Sequence, residues 1–285
     1  MKSLCIKTNN VKIINYLLNR INEIDFKDII YTQKKFKIYN NIIIHYNGNN
    51  INSYYNFLCY LLIEIIYKFY EEKIIKQLIN YNYFYFEDYE KNIILQNCIK
   101  NIESDENNEK NIIKVKIYKE IKEYIKDNKT INLEGFIYFR IKEYFNYLDN
   151  NVDTAVSQFV IEKEYTEFIS LLRIYVKSRK TDYNLLHLIY INGESILIDE
   201  NKNIVSVTEN IYNAKYLSDI SFSSNDVALN TLLTLLPKKL EIHLIDNEDE
   251  FINTIKLIFE DKISICRDCN ICKTYKLLNS TKSIK

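Results

Sequence analysis

The spacing of apolar and polar positions along this chain changes period twice, near residue 50 and near residue 180, and so divides it into three segments. Residues 1–50 predict a small βαββ unit. Residues 3–7 read as a short strand, and residues 11–24 place Ile14, Leu17, Leu18 and Ile21 on one helical stripe. Two β-branched or aromatic runs follow, 35–39 and 41–46, the second closed by the turn signal Asn47-Gly48. From Ser53, a candidate N-cap, residues 51–180 predict one helix after another. The first, 54–79, is apolar nearly all round at its start, with Phe57, Leu58, Leu61, Leu62, Ile65 and Ile66, the pattern of a helix buried among others. Further helices are expected over 87–102, 115–126, 133–149 and 152–177, with an acidic, Asn-rich loop over 104–111.

Residues 181–285 return to strand-like runs. Residues 184–191 and 195–199 flank Asn192-Gly193, whose two residues both tolerate positive φ and so favour a tight hairpin. A third strand is expected over 203–207. Ser223 or Ser224 caps a helix over 225–236 that Pro237 stops. Strand 239–245, helix 248–259 and strand 262–266 then form a βαβ unit with parallel strands, and residues 274–285 read as a frayed tail. The fold class expected is α+β: a small N-terminal sheet, a long helical middle and a C-terminal mixed sheet, packed as one or two domains.

Composition narrows the function classes. Lys and Arg (38) balance Asp and Glu (38), which removes any whole-chain field for nucleic acid or anionic membrane. Twenty-five Tyr and 14 Phe make the chain too aromatic for disorder. The three glycines, Gly48, Gly135 and Gly193, cannot write a P-loop or a dinucleotide fingerprint. Two mark turns, and Gly135, near a helix start, suggests close approach by a neighbouring backbone. The apolar run 57–66 is broken by Glu64 and falls short of the ~20 residues that span a bilayer, and the first seven residues hold no signal-peptide core. The chain therefore reads as soluble and cytoplasmic, with no membrane span. In a reducing cytosol, clustered cysteines point to metal or redox chemistry rather than disulfides.

The sharpest motif is Cys266-Arg-Asp-Cys269-Asn-Ile-Cys272, a C-x2-C-x2-C run. It matches the first three ligands of the ferredoxin-type run C-x2-C-x2-C-x3-C-P, but the fourth position is Lys276 and no proline follows. Zinc is the other candidate cofactor, because thiolates with one imidazole make a tetrahedral set. His243 is the candidate fourth ligand: it lies near the carboxyl end of the strand parallel to the one ending at Cys266, the edge where open α/β sheets bind ligands. The alternative reading of His243 is a hydrogen-bonded residue on a sheet face. The same three cysteines also suit a thiol-based redox protein or enzyme. Cys5, Cys59 and Cys98 share no spacing and read as packing residues, and His45 and His187 as structural.

Arg140 and Arg173 are weaker candidates, for clamping a phosphate or carboxylate; each could equally pair with a glutamate on a facing helix. The Lys-rich stretch 110–129 interleaves lysines with Tyr118 and Tyr124, but Glu120 and Glu123 interrupt it, so a solvated face is favoured over nucleic-acid binding and a protein-binding scaffold is kept as a further alternative. No paired-carboxylate or other catalytic signature emerges, and the balance leans away from an enzyme.

Four stretches together carry a family resemblance: Leu133-Glu-Gly-Phe-Ile-Tyr-Phe-Arg140, Glu162-Lys-Glu-Tyr-Thr-Glu-Phe-Ile-Ser-Leu-Leu-Arg173, Pro237-Lys-Lys-Leu-Glu-Ile-His243, and Phe259-Glu-Asp-Lys-Ile-Ser-Ile-Cys266 with its following cysteines. With these the chain resembles, nearly end to end, the YtxC family associated with sporulation in endospore-forming bacteria. The resemblance implies a sporulation-linked role and supplies no catalytic residues.

Overall fold

A computed structural model of the chain describes residues 1–23, 28–36, 39–104, 108–179, 183–205 and 223–282. It is α+β, and it divides into two compact units, Met1–Ile161 and Glu162–Lys285.

The first unit begins with β1 (Lys2–Thr8), α1 (Val11–Glu23), β2 (Ile29–Lys35) and β3 (Asn40–Tyr46). Strand alternation buries Leu4, Ile6 and Thr8 of β1 and Ile42, Ile44 and Tyr46 of β3, so one sheet face is apolar. The buried stripe Ile13, Ile14, Leu17 and Ile21 of α1 belongs to the same core. The second strand lies at Ile29–Lys35, where it pairs antiparallel with β3, Ile29 facing Tyr46 and Lys35 facing Asn40; residues 37 and 38 of the run expected at 35–39 lie outside the described residues. A helical layer follows: α2 (Ile51–Ile65), one π-helical turn (Ile66–Tyr70), α3 (Glu71–Asn82), α4 (Asp88–Ser104) and α5 (Glu109–Asp127). The single helix expected over 54–79 is thus interrupted at the π turn. Tyr54 of α2 ties helix to sheet, donating to the Ile44 carbonyl at 2.8 Å and stacking on Tyr46.

A three-residue strand, β4 (Thr130–Asn132), adds to β1 in parallel and completes the order β2-β3-β1-β4. Helix α6 (Leu133–Arg140) is capped by the Asn132 side chain, which accepts the Gly135 N–H. A Cβ at Gly135 would meet Asn132 at 3.7 Å, ordinary contact, so no close backbone approach explains this glycine. Helix α7 (Lys142–Ser178) then runs unbroken through the expected gap at 149–152, because Leu148, Val152 and Ala155 keep its apolar stripe buried. The break falls instead at buried Ile141, whose ψ of 55 leaves the helical region.

The second unit builds its own core. Strands β5 (Leu185–Ile191) and β6 (Glu194–Ile198) form the expected hairpin, with positive φ at Asn192 and Gly193. Ile204 makes an isolated bridge to Ile198; residues 206 and 207 of the expected third strand lie outside the described residues. Helix α8 (Ser224–Leu235) opens on a capping box between Ser223 and Asp226 and ends at Leu236, which the following Pro237 excludes from the helical region and which adopts φ 46. Strand β7 (Lys239–Leu244), α9 (Glu250–Phe259), a 3-10 turn (Glu260–Lys262) and β8 (Ile263–Cys266) follow, with β7 parallel to both β5 and β8 in the order β6-β5-β7-β8. Residues 274–282 of the expected frayed tail belong instead to α10 (Asn270–Lys282), and residues 283–285 lie outside the described residues. No helix among the described residues is long and apolar enough to cross a membrane.

Candidate metal centre

Strand β7 is flanked on both sides by parallel partners, so its residues from Leu240 onward are sheltered, and His243 is 1% exposed. Register places Cys266, the last residue of edge strand β8, directly beside His243. The chain then turns through Arg267 and Asp268, so that Cys269 immediately precedes α10 and Cys272 falls in its first turn, fully buried. Cys269 Sγ accepts the Cys272 N–H at 3.5 Å, the part a capping side chain plays at a helix start.

Four donor atoms converge here. His243 Nδ1 lies 3.3 Å from Cys269 Sγ and 3.5 Å from Cys272 Sγ. Cys272 Sγ lies 3.7 Å from Cys269 Sγ and 3.9 Å from Cys266 Sγ, and no two of the four donors are more than 4.8 Å apart. Around one ion with Zn–S ~2.3 Å and Zn–N ~2.0 Å, tetrahedral angles separate two sulfurs by ~3.8 Å and a sulfur and a nitrogen by ~3.5 Å. The four separations around Cys272 and Cys269 match these values, so the set could hold a single tetrahedral ion such as zinc. An iron–sulfur cubane binds each thiolate to a different iron and spreads the sulfurs more widely than these are spread.

The thiols are not equivalent. Burial alone would raise the Cys269 thiol, but the hydrogen bond from the Cys272 N–H and those from the neighbouring thiols outweigh it and hold it below the ordinary thiol value. Cys272 is pushed up to about 11, chiefly by burial. Burial also lowers His243, against the opposing charge of Glu241, and so favours the neutral imidazole that a metal requires.

Charged residues brace the loop. Arg267 Nη2 pairs with Glu248 Oε1 at 3.0 Å, and Glu248 also holds Lys256 of α9. Lys276, standing where a ferredoxin run would carry its fourth cysteine, donates to the Arg267 carbonyl at 3.0 Å.

Sequence reasoning missed a second layer. His243 Nε2 lies 3.0 Å from His187 Nδ1, and that nitrogen lies 3.2 Å from Glu241 Oε2. On β5 and β7, His187 stands opposite Glu241 and Ile189 opposite His243, so all three polar residues share one sheet face. The alternation of Glu241 and His243 was readable; the adjacency of β5 and β7 was not.

The other sequence candidates lie elsewhere. Arg140, exposed in the first unit, sits 5.7 Å from the ring centre of Tyr124. Arg173, in the second unit, pairs with Glu260 at 2.9 Å and donates to the Leu257 carbonyl. Cys59 and Cys98 are fully buried, and burial pushes both thiols up to about 12. His45 sits 2.8 Å from the Ser3 hydroxyl.

The YtxC-like family model matches residues 56–264, a span that includes His187, Glu241 and His243 and stops two residues before Cys266. The chain is also similar to "Uncharacterized protein YtxC" of Bacillus subtilis (strain 168), with 20% identity over 150 residues, 52% of this chain and 53% of that protein. It thus spans about half the length of the curated relative it matches. No solved structure matches the chain at a significant level. Because the family match runs from the buried helix α2 into strand β8 and takes in well over half of the residues, the chain belongs to the YtxC-like family.

Proposed function

We propose that this protein is a non-enzymatic, cytoplasmic component of the sporulation programme whose C-terminal unit is held together by one zinc ion on Cys266, Cys269, Cys272 and His243. The observation that carries the zinc reading is the convergence of these four donors, with four of their six separations at 3.3–3.9 Å and none above 4.8 Å. Four protein donors fill a tetrahedral shell and leave no position for a substrate, which supports a structural rather than a catalytic ion. The sporulation setting rests on the family resemblance, and the cytoplasmic setting on the six cysteines, all of them free thiols as a reducing compartment would keep them.

Elemental analysis and an absorption spectrum of anaerobically purified protein test the reading. About one zinc per chain without visible absorption is expected. Protein lacking both zinc and iron, with three readily alkylated thiols, would refute it. The lowered Cys269 thiol favours one competing reading, a reactive-thiol protein; unchanged peroxide sensitivity after serine replacement of each cysteine counts against that alternative.

A further inference from the structure

We propose that His187 is the positioning residue of this centre: it accepts the proton of His243 Nε2 and thereby holds His243 in the tautomer whose Nδ1 is free to bind the ion. The inference rests on the metal reading above and adds to it a residue outside the Cys266, Cys269, Cys272 and His243 set.

A neutral imidazole carries one ring proton. His243 presents Nδ1 to Cys269 and Cys272, so an ion bound there requires the proton on Nε2. His243 is almost fully buried, and a buried N–H without an acceptor is left with its desolvation cost uncompensated. His187 Nδ1, at 3.0 Å, is the acceptor the described residues offer. Without it the cheaper state moves the proton to Nδ1, where it points at the sulfurs and blocks coordination. Outer hydrogen bonds of this kind fix the tautomer and ring orientation of metal-binding histidines.

Glu241 sharpens the assignment. Its Oε2 is 3.2 Å from the same His187 nitrogen, which cannot donate to Glu241 and accept from His243 at once. With the ion bound, His187 therefore carries its own proton on Nε2, and the Glu241 carboxylate, about one-third exposed, is left to water. With the ion removed, His187 can turn its proton onto Nδ1 and donate to Glu241. The hydrogen-bond direction along the β5–β7 face thus follows occupancy of the centre.

The full-length protein, wild type, His187→Gln and His187→Leu, is titrated with zinc against a chromophoric chelator and with cobalt(II) to read its d–d bands. Glutamine keeps an acceptor oxygen; leucine does not. Zinc affinity is expected to fall about 10–100-fold in His187→Leu, with altered cobalt bands, and to stay near wild type in His187→Gln. Equal affinity in all three proteins, or equal loss in both variants, would overturn the positioning role while leaving the ion in place. A wild type that takes up neither metal overturns the ion reading and this one with it. If the variants do not fold, two-bond 1H–15N spectra of zinc-loaded wild type decide: protons on Nε2 of both His243 and His187 are expected, and a proton on Nδ1 of either refutes the assignment.

Discussion

At the scale of single residues, the three clustered cysteines differ in ways their spacing does not disclose. Cys269 sits at a helix start, where the Cys272 N–H stabilises its thiolate, whereas Cys272 is fully buried and held protonated at neutral pH. In metal-free protein at neutral pH, iodoacetamide is expected to modify Cys269 before Cys272, and zinc to slow both; peptide mass spectrometry over a time course reads the order. Labelling of Cys272 first, or rates indifferent to zinc, would contradict the geometry. The cysteine run and His243 were legible in the chain because thiol spacing is local and a strand end can be read from alternation. His187 and Glu241 were not, because their roles depend on which strand lies beside β7, and that partner begins more than fifty residues earlier in the chain.

Helix α10 shows why one element escaped a sequence reading. Over its described side chains, Cys272 is buried while Ile271 and Tyr275 are half-exposed and Leu277 is 69% exposed. A helix with so little apolar burial looks like a frayed tail, since packing of an apolar face supplies most helical stability in proteins. Its attachment to the sheet runs instead through the thiols at its first turn. Removing zinc with a chelator is therefore expected to deprotect the backbone amides of α10 in hydrogen exchange while those of β7 and α9 keep their protection. Unchanged exchange in α10 would show that the ion does not anchor it. The other boundary differences share this logic: the break at Ile141 and the continuity of α7 follow from which apolar positions find a core, and local propensity carries no such information.

Over the whole molecule, most of the buried apolar residues of the described chain fall into two clusters, one built from Leu4 to Phe159 and one from Ile169 to Phe259. The candidate ligands belong to the second unit. Unfolding is accordingly expected to show two transitions, of which zinc raises only the one belonging to Glu162–Lys285, by about 2.7 kcal/mol at free zinc one hundred times its dissociation constant. Calorimetry with and without chelator checks this, and a shift of both transitions together would mean that the units unfold as one. The sequence by itself determined the α+β class, the Asn192-Gly193 hairpin, the βαβ unit with its parallel strands, and the three thiols poised at its end, because period, turn chemistry and ligand spacing act over a few residues. Tertiary structure alone decided that His243 turns Nδ1 toward the sulfurs, that His187 and Glu241 stand behind it, and that a polar C-terminal stretch becomes a docked helix. Those outcomes depend on strand order and on burial between segments far apart in the chain, which no local pattern encodes.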